Sequence, residues 1–354
     1  MHKKRVKKYI LYFDLLNIFA CFAVVALHVN GAVHTFAKTR NWVSCMFTEA
    51  LFYFAVPVFF MLTGATLMNY RKRYDTGAFF KKRIFKTFVP FIIWSIIGIC
   101  WSVFYTKGMT ISDINTPAKF ISAVINCKGM GIYWFFPALF SVYLTIPLFS
   151  LVDEDKRIGK IGIFTYLILV YIVLNVLLPF VCRLTGIQWN SALNAVSCGG
   201  YVVWFLIGYL LANTDINKKF RILIYILGLI GFFMYFYLTV QNSFKTERFD
   251  KTYAGYMNIP AIFMGTAVFV LFKYGKWNSI EKHEKAVRFV RNLSSASFGV
   301  YLIHYYLKDF SIRHFGIDPR STLYRIVGTF IIYGLSVIIV RVIQKIPVIR
   351  KMVP

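Results

Sequence analysis

Four polar residues interrupt the first apolar stretch of the chain: Asp14, Asn17, Cys21 and His28. On a helix advancing 100° per residue, Asn17 and His28 point within about 20° of each other. Cys21 falls within about 40° of Asn17, and Asp14 within about 40° of His28. The four therefore form one stripe on an otherwise apolar rod. Lipid does not accept such a stripe, so it must face a neighbouring helix or a wet cavity. Asp14 and His28 are about 21 Å apart along the axis, so they do not touch, and the stripe is a polar path across much of a bilayer. Histidine takes and returns protons near neutral pH, which makes His28 the candidate general base. A structural hydrogen bond between helices is the alternative. Ionisable residues inside a membrane are functional by default, which favours the base. Asp14 serves equally well to satisfy a neighbouring helix near the interface.

Glu49 lies one to two turns inside the outer end of the second apolar stretch, as His28 does in the first. Antiparallel neighbours would bring them to similar depth, where a carboxylate fixes the tautomer of a histidine and raises its basicity. The alternative places Glu49 at the headgroup level. After the second stretch come Arg71-Lys72-Arg73 and Lys81-Lys82-Arg83, with Lys86 close behind. This basic segment either anchors to anionic lipid headgroups or receives the phosphates of a cytoplasmic donor through Lys82 and Arg83. There is no phosphate-binding glycine loop after a strand, so a nucleotide hydrolase or dehydrogenase is not supported.

The elements that must hold these residues are transmembrane helices. The 354-residue chain is 58% hydrophobic, above the 45–50% usual for soluble domains, and its mean hydropathy is +0.61. Stretches long enough to span fall at 9–33, 43–69, 87–106, 131–152, 161–181, 198–213, 221–240, 258–274, 296–312 and 322–343. The expected fold is an all-α bundle of about ten spans over residues 1–354, with no appended soluble domain. The first stretch is too long for a signal-peptide core and lacks a cleavage site. With the N-terminus inside, most of the 41 Lys and Arg fall in inner segments: Lys3 to Lys8, Arg71 to Lys86, Lys156 to Lys160, Lys218 to Arg221, Lys273 to Arg291 and Arg341 to Lys351. That bias puts both termini in the cytoplasm and accounts for the net charge of +27 without nucleic acid. Of the six cysteines, none forms a paired motif, so neither a metal site nor a disulfide framework is expected. A bridge among Cys127, Cys182 and Cys198 stays open.

Further segments complete a pattern. Asp14-Leu15-Leu16-Asn17 precedes His28, and Pro57-Val58-Phe59-Phe60-Met61-Leu62-Thr63-Gly64 follows. Lys82-Arg83 runs into Pro90 and Trp94, and Trp134-Phe135-Phe136-Pro137-Ala138-Leu139 is followed by Tyr143 and Pro147. Trp204 to Tyr209 and Ser297-Phe298-Gly299-Val300-Tyr301-Leu302-Ile303-His304 come last. Six such motifs in this order, from Asp14 to about Ile343, resemble the acyltransferase-3 family of membrane acyltransferases. The resemblance implies transfer of an acyl group, often acetyl from coenzyme A, to hydroxyls of sugars and cell-envelope glycans. It implies that His28 is essential as the base and that basic residues such as Arg83 bind the donor. Where the family has an arginine this chain has Asn17, which hydrogen-bonds but brings no charge. Either another cation supplies it or the chemistry is altered.

The expected activity is that of a multi-pass plasma-membrane O-acyltransferase using acetyl-CoA as co-substrate, with no metal. Its partners would be acyl-CoA, a glycan or lipid-linked sugar, and membrane lipid. His28 and Glu49 would be catalytic, and Arg83, Lys82 and Asn17 would hold the donor. Transfer would run directly or through an acyl-histidine. Trp134 and Tyr301 would either stack on a sugar or serve as core aromatics, and His304 would either line the cavity or pair helices. The rival reading is an exporter of an envelope glycan precursor. The absence of a visible internal repeat counts against it.

Overall fold

The computed structural model describes residues 9–152, 159–195 and 199–354. The basic residues from Lys3 to Lys8, Lys156, Arg157 and Cys198 lie outside the described residues. Within them the chain is helical, with no strand. The first half comprises α1 (Leu11–Val29), α2 (Arg40–Phe52), α3 (Ala55–Leu67), α4 (Thr76–Arg83), α5 (Val89–Cys100), α6 (Pro117–Ile125), α7 (Phe135–Ser150) and α8 (Gly159–Tyr171). The second comprises α9 (Leu178–Thr185), α10 (Val202–Asn213), α11 (Lys218–Phe233), α12 (Thr239–Thr246), α13 (Ile259–Lys273), α14 (Asn278–Glu281), α15 (Glu284–Phe315) and α16 (Thr329–Lys345).

Seven of the described helical stretches are long and apolar enough to cross a membrane: Leu11–Val29, Arg40–Lys72, Thr76–Thr106, Gly131–Ser150, Gly159–Thr185, Lys218–Thr246 and Tyr324–Lys345. Three of the ten expected stretches map to other kinds of helix. Those at 198–213 and 258–274 become α10 and α13, of 12 and 15 residues. Val203, Trp204, Phe205 and Leu206 are buried by protein, so much of the apolar character of α10 serves the core rather than lipid. The stretch at 296–312 lies inside α15, whose 32 residues include Arg288, Arg291, Lys308, Asp309 and Arg313.

Several spans are continuous rods with a wide π-turn inside. The turn at 84–88 precedes Pro90, and that at 172–177 precedes Pro179. Proline removes one rung of the helical ladder, and a π-turn absorbs the defect without ending the helix. Helix starts outside the apolar zone carry side-chain caps: Thr39 accepts from the Trp42 amide, Asp75 from Ala78 and Asn217 from Phe220.

Two of the motif glycines form a close helix crossing. A Cβ at Gly64 on α3 would sit 1.8 Å from the Phe205 carbonyl oxygen, and one at Gly208 on α10 would sit 2.0 Å from that of Met61. The backbones touch because neither position has a side chain, the usual way membrane helices gain packing where lipid provides no hydrophobic drive. Gly208→Ala is expected to force the helices apart and to cost about 1–3 kcal/mol, read as a lower melting temperature in detergent. Gly334→Ala, inside α16 where nothing lies within 4 Å of the added carbon, is expected not to lower the melting temperature.

Candidate active site

The polar stripe of α1 meets a second stripe on α15. Ser294, Ser297, Tyr301 and His304 recur at helical spacing, and the two helices run parallel. Asn17 Nδ2 donates to the Ser294 carbonyl at 3.1 Å and to Ser294 Oγ at 2.9 Å. Ser294 Oγ in turn donates to Asp14 Oδ1 at 2.7 Å, and the Tyr9 hydroxyl donates to Asp14 Oδ2 at 2.6 Å. The Cys21 thiol donates to the Ser297 carbonyl. At the far end His28 Nδ1 lies 2.7 Å from His304 Nε2. Every member of the α1 stripe is thus held by α15, which turns it inward as a polar stripe in lipid requires.

Two cavities open along this seam. The larger, about 600 Å³, is lined by Asn17, His28, Glu49, Thr63, Trp134, Ser297 and Tyr301 among others. The smaller, about 280 Å³, is lined by Asp14, Asn17, Thr66, Arg83, Tyr143 and Ser294. Asn17, Phe59, Thr63 and Ser294 belong to both walls, so the cavities adjoin at Asn17. Polar atoms therefore run from Arg83 past Asn17 to His28. Ser297 Oγ is buried on this route without a hydrogen-bond partner in the protein, as is Arg83 Nε. Buried polar atoms are rarely left so unless something else meets them.

Each expected site residue has a definite place. His28 lines the larger cavity and is partly exposed to it. Glu49 lines the same cavity but makes no hydrogen bond to His28. Asn30, at the C-cap of α1, approaches Glu49 Oε2 at 3.5 Å and donates to the Cys45 carbonyl at 2.9 Å. Asn30 Oδ1 accepts from Arg325 Nη1, and Arg325 is also held by Asn41, Ser44 and Thr322. The carboxylate thus ends a network tying α2 to the start of the last span. The partner expected for His28 at Glu49 is supplied instead by His304, which is fully buried behind it and outside the cavity wall.

Arg83 faces the smaller cavity between the rings of Phe79 and Tyr143, with 5.8 and 5.6 Å to the centroids. Lys82 turns elsewhere, its Nζ 3.6 Å from the centre of the Tyr74 ring. Adjacent helical residues differ by 100°, so only one of the two can point into the cavity. Trp134 lines the larger cavity, stacked on Tyr256 at 5.8 Å, and Tyr256 stacks on Tyr53 at 4.6 Å. Tyr301 also faces the cavity, while its hydroxyl donates to the Ile132 carbonyl and so fixes the Trp134 segment against α15. Cys127 and Cys182 are free thiols.

Sequence reasoning missed Ser294, Ser297, the Tyr53–Tyr256 wall and two residues near the end of α1, His34 and Lys251. Burial, reinforced by the charges of Lys251 and Lys308, holds the His34 imidazole below its ordinary pKa. The spacing of Ser294, Ser297, Tyr301 and His304 was a readable signal. Lys251 lies in a loop and carried none.

The bundle is that of a membrane protein with a partly buried histidine lining an internal cavity. The chain belongs to the acyltransferase-3 family: the family model, described as an acyltransferase domain, matches residues 10–341, nearly the whole chain. It is a membrane acyltransferase. No curated protein and no solved structure matches it.

Proposed function

We propose that the protein transfers an acyl group, acetyl in the simplest case, from cytoplasmic acyl-CoA to a hydroxyl of a sugar or cell-envelope glycan across the plasma membrane. The observation that carries this reading is the adjoining pair of cavities, with a partly buried cation at one end and a histidine ring at the other. The donor's phosphates meet Arg83, as a guanidinium suits phosphate oxygens. The thioester arm passes Asn17, Thr63 and Ser297, whose polar atoms suit its amides. Asn17 is held by Ser294 and brings no charge, so Arg83 is the cation of this route. The acyl carbonyl stops near His28.

The acceptor occupies the wider part of the cavity, where Trp134, Tyr256 and Tyr53 offer flat faces to a sugar ring. His28 takes the proton of the acceptor hydroxyl. The oxygen attacks the thioester carbonyl, the carbon–sulfur bond breaks, and the thiolate leaves with the proton held by His28, giving an ester and free coenzyme A. Glu49, held by Asn30 near Lys251, orients the acceptor rather than the base.

Ligand-induced stabilisation in detergent tests the reading against an exporter. Acetyl-CoA at a hundred times its dissociation constant is expected to stabilise the fold by about 2.7 kcal/mol, with a corresponding rise in melting temperature. Envelope sugars alone are expected to do less. Stabilisation by sugars and none by acetyl-CoA would favour the exporter.

A further inference from the structure

Resting on the acyl-transfer reading, we infer that His304 is a positioning residue that sets the tautomer of His28 and leaves Nε2 as its basic nitrogen. The chain of donors starts at the α15 backbone. His304 Nδ1 lies 2.9 Å from the Val300 carbonyl, one turn earlier. A carbonyl only accepts, so His304 Nδ1 carries the hydrogen. In the neutral ring the other nitrogen is then an acceptor. His304 Nε2 is the atom 2.7 Å from His28 Nδ1, so that nitrogen of His28 must be the donor. His28 Nε2 is left with its lone pair, and it is the only ring nitrogen free for the cavity that His28 lines.

The ring geometry fits this chain of donors. The planes lie 13° apart with centroids 5.0 Å apart, and nitrogens only 2.7 Å apart at that separation require the rings to meet edge to edge. That places the hydrogen on His28 Nδ1 in line with the in-plane lone pair of His304 Nε2, as a good hydrogen bond needs. His304 has no exposed surface and Tyr305 stands against the edge of His28, so neither ring is free to flip.

The role is that of the orienting group in a base dyad, filled by a second imidazole and a helix carbonyl instead of a carboxylate. When His28 receives the acceptor's proton on Nε2, its Nδ1–H bond to His304 stabilises the cation that forms. The charge spreads toward a second ring already anchored on Val300. A histidine lacking this partner would spread over two tautomers, only one of which is competent.

The test uses the full chain in nanodiscs with ¹⁵N-labelled histidine, the His28 signals being assigned by their loss in His28→Gln. The expected spectrum has a protonated Nδ1 and a bare Nε2 on His28. In His304→Leu the His28 signals are expected to shift toward the Nε2–H form, with kcat lower by about 10–100-fold and the KM of both substrates unchanged. His304→Glu, which can only accept from Nδ1–H when ionised, is expected to restore the tautomer and part of kcat. A wild-type His28 protonated on Nε2, or a glutamate variant no better than the leucine one, would overturn the inference. The spectrum is read without turnover, so a chain that showed the expected tautomer but no acyl transfer would contradict the proposed function alone.

Discussion

Acyl transfer is expected to disappear in His28→Ala while the chain still inserts and accumulates. A positioned general base contributes about 10²–10⁴-fold to rate, and no other side chain on the larger cavity wall combines the depth of His28 with a free ring nitrogen. His34 lines the same cavity but follows the end of α1, with its ring against Phe249. The substitution removes an imidazole whose fixed bond is to His304, so it leaves one buried acceptor unpaired, a cost of about 1–3 kcal/mol. That lowers stability without dissolving a bundle held by many helix contacts. The check is acyl-ester formation at matched protein level, with His314→Ala, on the exposed end of α15, as the variant expected to behave as wild type. Substantial transfer by His28→Ala would remove the base from the mechanism.

Arg83→Leu is the second large effect, and it is expected to fall on donor binding. Arg83 is the cation of the smaller cavity, with Nε buried and unpaired. A hydrogen bond to a charged group is worth about 1.5–3 kcal/mol, so the KM for acyl-CoA is expected to rise about 10–100-fold. The acceptor KM is expected to stay put, and kcat to change little. Lys82→Leu is expected to do much less, because that side chain lies over Tyr74. Steady-state kinetics with both substrates varied separate the two variants. Equal effects of Arg83→Leu and Lys82→Leu would point to diffuse attraction by the basic loop in place of a defined contact.

The α1 stripe could be read from the chain because helix periodicity alone sets which residues share a face. Its depth order, from Asp14 through Asn17 to His28, follows from the same geometry and agrees with the placement of the two cavities. The partner of His28 could not be read in that way. Equal depth suggested Glu49, yet depth says nothing of direction around the axis, and the carboxylate meets Asn30 at the α1 cap instead. His304 lies 276 residues away, and no local rule says which helix faces which. Local geometry does show that Lys82 and Arg83 cannot share a cavity, since they are 100° apart. The lengths of α10 and α13, 12 and 15 residues, could not be read from the chain, because an apolar run does not mark where its helix ends.

The resemblance in the sequence implies an arginine at the position of Asn17, and the structure shows how Asn17 is held there. Both of its amide contacts go to Ser294, which also binds Asp14. A guanidinium there would meet the Asp14 carboxylate, and Asn17 needs no such partner. Asn17 is therefore held at the junction of the cavities by uncharged hydrogen bonds to Ser294, and Arg83 is the cation that lines the smaller cavity.

The most direct test of the central claim places donor and acceptor on opposite sides of one membrane. Vesicles of defined orientation would hold the purified protein, with acetyl-labelled coenzyme A on the face bearing Arg83 and envelope glycan on the face near Lys251. The expected result is label in the glycan, released by mild alkali as an ester, and none with His28→Ala. Label appearing only when donor and acceptor share a face, or appearing equally with His28→Ala, would contradict the account.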